Sequence, residues 1–260
     1  MAEKRNLNYI SEINPHYNNT KHLLDIFYPD DVQNKSPILI FIHGGTWMNG
    51  SKDIYSNFGK NLATKGIVSA IINYRLGDTV NFRKMALDCA SAVKWVYNNA
   101  DEYGGNKKRI IVCGHSAGGH LSALISLDHD YFDQLNMDNP IKGCILNDAF
   151  GLNIGNFIKD HGASYLHYIE KVFTRDPDFW KQASPIHYVS NRIIPFMIMI
   201  GKYTYPILKV DNEIFIKEIS KYNPEVTFEE VEGKSHVEMI TQFNDRDNPL
   251  YNKILSFMNI

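Results

Sequence analysis

Short apolar runs, separated by turn residues and amphipathic stretches, set the rhythm of this chain. Ile38 to Ile42 is apolar at every position, and Ile67 to Ile72, Ile110 to Cys113, Ile141 to Leu146 and Pro195 to Ile200 are nearly so. Runs of this length without alternation are strands covered on both faces, as in a parallel sheet. Between them, Phe82 to Ala100 sets Met85, Cys89, Ala92, Val93 and Val96 at helical spacing, which predicts an amphipathic helix. Asn57 to Lys65, stopped by Gly66, reads as a helix, and so do Val210 to Tyr222 and Leu250 to Met258. His22 to Tyr28, ended by Pro29-Asp30-Asp31, and Val226 to Val231 read as further strands. Residues 1–20 are polar and read as a loosely attached arm. Gly151 to Gln182 breaks the rhythm: it is aromatic-rich and irregular, and predicts a cap-like insertion over about 151–190. Strands alternating with helices predict an α/β fold: a mostly parallel central sheet flanked by helices, in one domain over residues 1–260. Sites in such sheets lie beyond the carboxyl ends of the strands.

One strand end carries the sharpest signal. The apolar run that closes at Cys113 is followed by Gly114-His115-Ser116-Ala117-Gly118, then by small and apolar residues from Gly119 to Leu124. A strand, a tight turn holding one serine between two glycines, and a helix make a nucleophile elbow. The glycines let strand and helix pass closely, and the amide of Ala117 at the helix start faces the oxyanion formed when Ser116 attacks a carbonyl. A second strand ends in His43-Gly44-Gly45-Thr46-Trp47. Its glycine pair lets the chain turn amides into the site, so Gly45 and Thr46, with Ala117, are the expected oxyanion donors.

The serine needs a base, and the chain offers ten histidines. His236, in Glu232-Gly233-Lys234-Ser235-His236, follows the last strand and comes after the serine, as the hydrolase order of serine, acid and histidine requires. His161, His167 and His187 fall in or beside the cap, and His115 and His120 are too close in sequence to swing onto Ser116. His236 is therefore the expected general base. Asp128-His129-Asp130 has the composition of a metal triplet, but neighbours in a row rarely converge on one ion, and a solvated loop is expected there.

Composition narrows the field further. Hydrophobic residues make up 44% and charged residues 22%, with a net charge of −2 and both signs interspersed. That excludes an electrostatic footprint for nucleic acid. No apolar stretch is long enough to span a bilayer. The three cysteines, Cys89, Cys113 and Cys144, are expected as buried free thiols, with neither zinc spacing nor any other metal site. The polar N-terminus lacks the apolar core of a secretion signal, which points to the cytoplasm, with a removed leader left open.

Taken together, these motifs resemble the α/β-hydrolases of the hormone-sensitive-lipase and feruloyl-esterase-like (BD-FAE) group, which includes acetyl esterases and kynurenine formamidases. His43 to Trp47 resembles that group's oxyanion loop, and Asn73-Tyr74-Arg75-Leu76 its strand-end motif. Leu87-Asp88 and Ala92 to Trp95 resemble its helix before the elbow, Gly114 to Leu124 the elbow, and Gly233 to His236 the histidine loop. The resemblance implies the α/β-hydrolase fold and serine hydrolysis without a cofactor. It also exposes a departure. The group places its acid three residues after a glycine at the end of the next-to-last strand, and here Gly201-Lys202-Tyr203-Thr204 puts a threonine there. Threonine cannot supply the negative charge that steadies an imidazolium. Some lipases of this fold carry their acid one strand earlier, where Asp148 closes Ile145-Leu146-Asn147-Asp148. Asp148 is the expected acid and Asp211 the second candidate. Glu238 is too close to His236 in sequence to orient its ring.

The expectation is a serine carboxylesterase acting on a small-molecule ester with a short or aromatic acyl group. Ser116, His236 and Asp148 would form the triad, with Trp47 and Tyr205 contacting substrate at the sheet edge. Most cap aromatics (Phe150, Phe157, Tyr165, Tyr168, Phe173, Phe179 and Trp180) are expected to form a small secondary core. An arylformamidase using the same residues is the alternative. So is a retired hydrolase that binds a small ligand, as the plant hormone receptors of the group do, although those tend to lose the histidine. A homodimer is left open, since the sequence does not give the oligomeric state.

Overall fold

The computed structural model of the protein describes residues 1–11, 13–30, 35–191, 193–223 and 226–259, and for residues 161–168 only the backbone. Asp31, and the side chains of His161, Tyr165, His167 and Tyr168 singled out above, lie outside what is described.

Eight strands form one sheet. In chain order they are β1 (Ala2–Asn8), β2 (Leu23–Tyr28), β3 (Ser36–Ile42), β4 (Val68–Ile72), β5 (Gly105–His115), β6 (Ile141–Asn147), β7 (Phe196–Gly201) and β8 (Thr227–Val231). Their order across the sheet is β1-β2-β4-β3-β5-β6-β7-β8. The β1–β2 and β2–β4 pairs are antiparallel, and the other neighbours are parallel. The helices are α1 (Ser56–Thr64), α2 (Phe82–Asn99), α3 (Ala117–Leu127), α4 (Asp130–Asp133), α5 (Ile154–Phe173), α6 (Pro177–Gln182), α7 (Pro206–Ile219), α8 (Glu238–Thr241) and α9 (Leu250–Phe257).

The unbroken apolar runs have the predicted cause. Along β3, Ile38, Ile40 and Ile42 face one core while Leu39 and Phe41 face the other. β5 divides the same way, Ile110 and Val112 against Ile111 and Cys113. The first core takes α2, α3, α7 and the insertion, and the second takes α1 and α9. Alternate residues point to opposite faces of a strand, so a sheet clothed on both sides needs apolar side chains at every position. All three cysteines are free and buried in these cores. Among the described residues, no helix is long and apolar enough to cross a membrane.

Two expectations change. Residues 1–20 contain an edge strand, β1, rather than a loose arm. β1 carries almost no apolar signal because both its faces are largely exposed. Polar anchors tie it down: the Asn6 amide donates to Asp25 Oδ1 at 2.8 Å, and Lys52 Nζ reaches Asn6 Oδ1 at 2.7 Å. The insertion, expected to be irregular, is built around the 20-residue helix α5, followed by α6 and a single 3-10 turn at Pro185–Tyr188. Its aromatic rings obscured a helical face that packs on the sheet: Phe157 and Phe173 are both buried there.

At the edge, Lys52 Nζ stands 2.8 Å from Asp25 Oδ1, with both side chains almost wholly buried. Arg5 Nε also approaches that carboxylate at 3.0 Å. Removing one partner of a buried pair strands the other charge, typically at a cost of about 3–5 kcal/mol. Because Arg5 stays, Lys52→Met is expected to lose about 3 kcal/mol in denaturant unfolding, the low end of that range. A loss below about 1 kcal/mol, the worth of an exposed pair, would mean the pair behaves as a surface contact.

Candidate active site

Ser116 sits where β5 turns into α3, with φ 56 and ψ −124. An L-residue rarely adopts that left-handed conformation, and it is held here by close crossing of the backbones. A Cβ on Gly114 would stand 2.1 Å from the Gly118 carbonyl oxygen, and one on Gly118 would stand 2.0 Å from the Ile42 carbonyl oxygen. Only hydrogen fits at either place. The Ser116 hydroxyl makes no capping bond to its own helix. It lies instead 3.0 Å from Nε2 of His236.

His236 comes from the loop after β8, which turns at Gly233 with φ 70. Glu238, set aside as an acid above, braces this loop by accepting from the Ser235 amide at 2.9 Å and from its hydroxyl. Nδ1 of His236 lies 2.6 Å from Asp148 Oδ2. Asp148, fully buried, follows β6 directly and also takes a left-handed φ of 52. Its carboxylate has two further donors: the Gly201 amide reaches Oδ1 at 2.9 Å, and the Thr204 hydroxyl donates to Oδ2. The structure thus brings Ser116, His236 and Asp148 together. Thr204, at the position where the acid was missing, donates to the acid that stands one strand earlier.

The turn after β3 forms the opposite wall. Gly45, Thr46 and Trp47 have successive positive φ values of 127, 52 and 60. A Cβ on Gly44 would meet Ser116 Cβ at 2.9 Å, so the loop lies directly against the serine. Met48 and Asn49 donate their amides to the Gly45 carbonyl and close the turn. Tyr74, from the motif after β4, donates its hydroxyl to the His43 carbonyl at 2.9 Å. Burial pushes the His43 imidazole down to about 4, so it carries no charge at neutral pH. Ala117 opens α3, where the first amides have no intrahelical acceptor.

A cavity of about 480 Å³ opens at Ser116 and His236 and includes Gly44, Gly45 and Thr46 in its lining. Its far walls are Ile54, Tyr55 and Phe58 on one side and Val237, Ile240 and Thr241 on the other. None of these was singled out in the sequence, since they read as ordinary helix and loop positions. Tyr205, half exposed, stands beside His236 with ring centroids 5.4 Å apart, and 5.7 Å from Phe150.

Trp47 is a correction. It was expected to contact substrate, but it is 1% exposed and lies beneath the insertion. Its indole donates to His120 Nδ1 at 3.1 Å and packs edge-on against Phe157 and Phe173. A large ring with one polar atom is stable inside when that atom finds an acceptor, and His120 supplies one. His120 in turn bonds the Ala183 carbonyl at 2.7 Å through Nε2.

Asp211, the second candidate acid, does not reach His236. It accepts the amides of Leu152 and Asn153 at 2.9 and 3.4 Å and fastens the start of the insertion to α7. Asp128 likewise has a local role, accepting the Asp130 amide at 3.1 Å. Among the described residues, no cluster of three or more histidine, cysteine or carboxylate side chains could hold a metal ion.

The chain matches known proteins in both sequence and fold. The BD-FAE family model matches residues 24–207, more than half of the chain. Esterase LipC of Mycobacterium tuberculosis is 30% identical over 227 residues, covering 82% of this chain and 56% of that protein. Kynurenine formamidase of Salmo salar is 26% identical over 236 residues, covering 90% of this chain and 77% of that protein. The chain spans about half the length of several of the relatives it matches. Among solved structures, a truncated carbohydrate esterase from gut microbiota superimposes with a TM-score of 0.82 at 20% identity, over 100% of this chain and 95% of that one. That likeness bears on the fold, which is that of the α/β-hydrolases.

The Asp211 site generates a test. Burial pushes its carboxyl up from 3.8 to about 7, although the two amides pull the other way. The folded chain therefore keeps a proton that the unfolded chain releases. The stability this confers is complete below the unfolded value and is lost as pH rises through about 7. Asp211→Asn keeps an acceptor oxygen and cannot ionise, so it is expected to flatten the decline of Tm between about pH 4 and 7. A profile identical to the parent would show that Asp211 ionises freely.

Proposed function

The chain belongs to the BD-FAE family, and we propose that it is a serine hydrolase that cleaves carboxylic esters through an acyl-enzyme on Ser116. The observation that carries this reading is the continuous relay from Ser116 Oγ to His236 Nε2 at 3.0 Å and from His236 Nδ1 to Asp148 Oδ2 at 2.6 Å. In this reading Ser116 attacks the ester carbonyl as His236 takes its proton. The resulting imidazolium is steadied by Asp148, which also accepts from Gly201 and Thr204. The amides of Gly45, Thr46 and Ala117 receive the oxyanion; losing one such donor costs about 10²–10³ in rate. His236 then gives its proton to the departing alcohol, and a water activated by the same imidazole releases the acid. The cavity beyond Ser116 has apolar walls at Ile54, Phe58 and Ile240, which suits a small ester with a short or aromatic acyl group.

The likeness to kynurenine formamidase makes a formamidase-type amidase the second reading, with the same residues in the same roles. A panel of aryl formamides against short acyl esters separates the two, since amide cleavage demands protonation of a poorer leaving group.

The ester reading predicts a burst with nitrophenyl acetate and covalent labelling of Ser116 by a phosphonate. Ser116→Ala should abolish both, and full activity in that variant would overturn the proposal. Asp148→Asn leaves the imidazole without its counter-charge and is expected to lower kcat by about 10⁴. An unchanged kcat would make Asp148 a purely structural acid.

A further inference from the structure

We propose that His115, the residue before the elbow serine, is a positioning residue that holds the His236 loop in place for the reaction. This rests on the ester-hydrolase reading above. His115 ends β5 and is paired in register with Asn147 at the end of β6. Each of these two neighbours holds one carbonyl of the histidine segment. Nε2 of His115 lies 3.0 Å from the His236 main-chain oxygen, and Nδ2 of Asn147 donates to the Met239 carbonyl at 2.9 Å. Asp148, the next residue, takes the imidazole itself. The end of the sheet thus grips the segment at two main-chain points and one side chain.

The hydrogen bond sets the tautomer of His115. A carbonyl oxygen only accepts, so Nε2 must carry the proton and Nδ1 is bare in the neutral ring. Neutrality matters because the two rings lie face against face, with centroids 4.7 Å apart and planes tilted by 30°. A second positive charge at that distance would oppose the imidazolium that His236 becomes during acylation. Burial, with the neighbouring His236 adding to it, pushes His115 down to about 3, so the ring stays uncharged while His236 cycles. The ring also has little room to move: a Cβ on Gly44 would be 2.8 Å from its carbonyl oxygen and 3.1 Å from its Nδ1. His115 therefore acts through His236, and its one ring proton is engaged by the His236 carbonyl rather than exchanged with Ser116.

Two variants separate the hydrogen bond from the bulk of the ring. In His115→Gln the terminal amide nitrogen falls at the same bond distance from Cβ as Nε2, which keeps the donor. His115→Phe keeps the ring and removes the donor. With nitrophenyl acetate, the glutamine variant is expected to stay within about threefold of the parent kcat. The phenylalanine variant is expected to lose about tenfold with KM nearly unchanged, the size of one positioning hydrogen bond. Equal kcat in the two variants, or a loss confined to KM, would overturn the proposal. Should either variant not fold, nitrogen-15 NMR of histidine-labelled parent protein decides: a bare Nδ1 and a protonated Nε2 on His115 support it, and the opposite tautomer refutes it. Parent protein with no ester turnover and no labelling of Ser116 would instead defeat the ester reading, and the tautomer would still test the contact.

Discussion

The buried carboxylate of Asp148 is the point on which the site depends. It receives the Gly201 amide from the end of β7, the Thr204 hydroxyl from the following turn and the His236 imidazole from the loop after β8. Two segments remote from Asp148 in sequence, residues 201–204 and the His236 loop, converge on one charge. A carboxylate with no solvent contact is tolerable only when it is hydrogen-bonded, and these donors engage both of its oxygens. The threonine that stands where the family's acid was expected fits this account. It has not left a gap, because its hydroxyl donates to the carboxylate of Asp148, one strand along the sheet.

The sheet and the elbow were legible because their physics is local. A strand clothed on both faces is apolar on both, and the buried stretches of β3 to β7 show it nearly throughout. A serine pinched between backbone crossings needs glycine on either side, as at 114 and 118. The outermost edge strand, β1, was not legible. β1 gains its place from Asn6, Asp25 and Lys52, and polar contacts of that kind leave no periodic trace. The same limit hid the cavity walls at Ile54, Phe58 and Ile240, which converge only after α1 and α8 pack on either side of the serine.

The aromatic residues show where a local reading misleads. Trp47 closes the glycine turn after β3 and was expected at the substrate, yet its indole turns inward to His120. Tyr205, with a weaker signal, stands beside His236. An aromatic ring near a site in sequence has two destinations, and the choice rests on which polar partners the fold brings within reach of its one polar atom. His115 and His120, only five positions apart, make the same point. One ring bonds the histidine loop and the other bonds the insertion, and neither carbonyl acceptor is close in sequence.

The Trp47 indole, the His120 ring and the Ala183 carbonyl form a rigid strut running from the turn after β3, through the elbow helix, to the far side of the insertion. The insertion is consequently no independent hatch. Any rocking of its helices would tug on the same turn that lies against the serine, and the turn cannot relax without the indole leaving its acceptor.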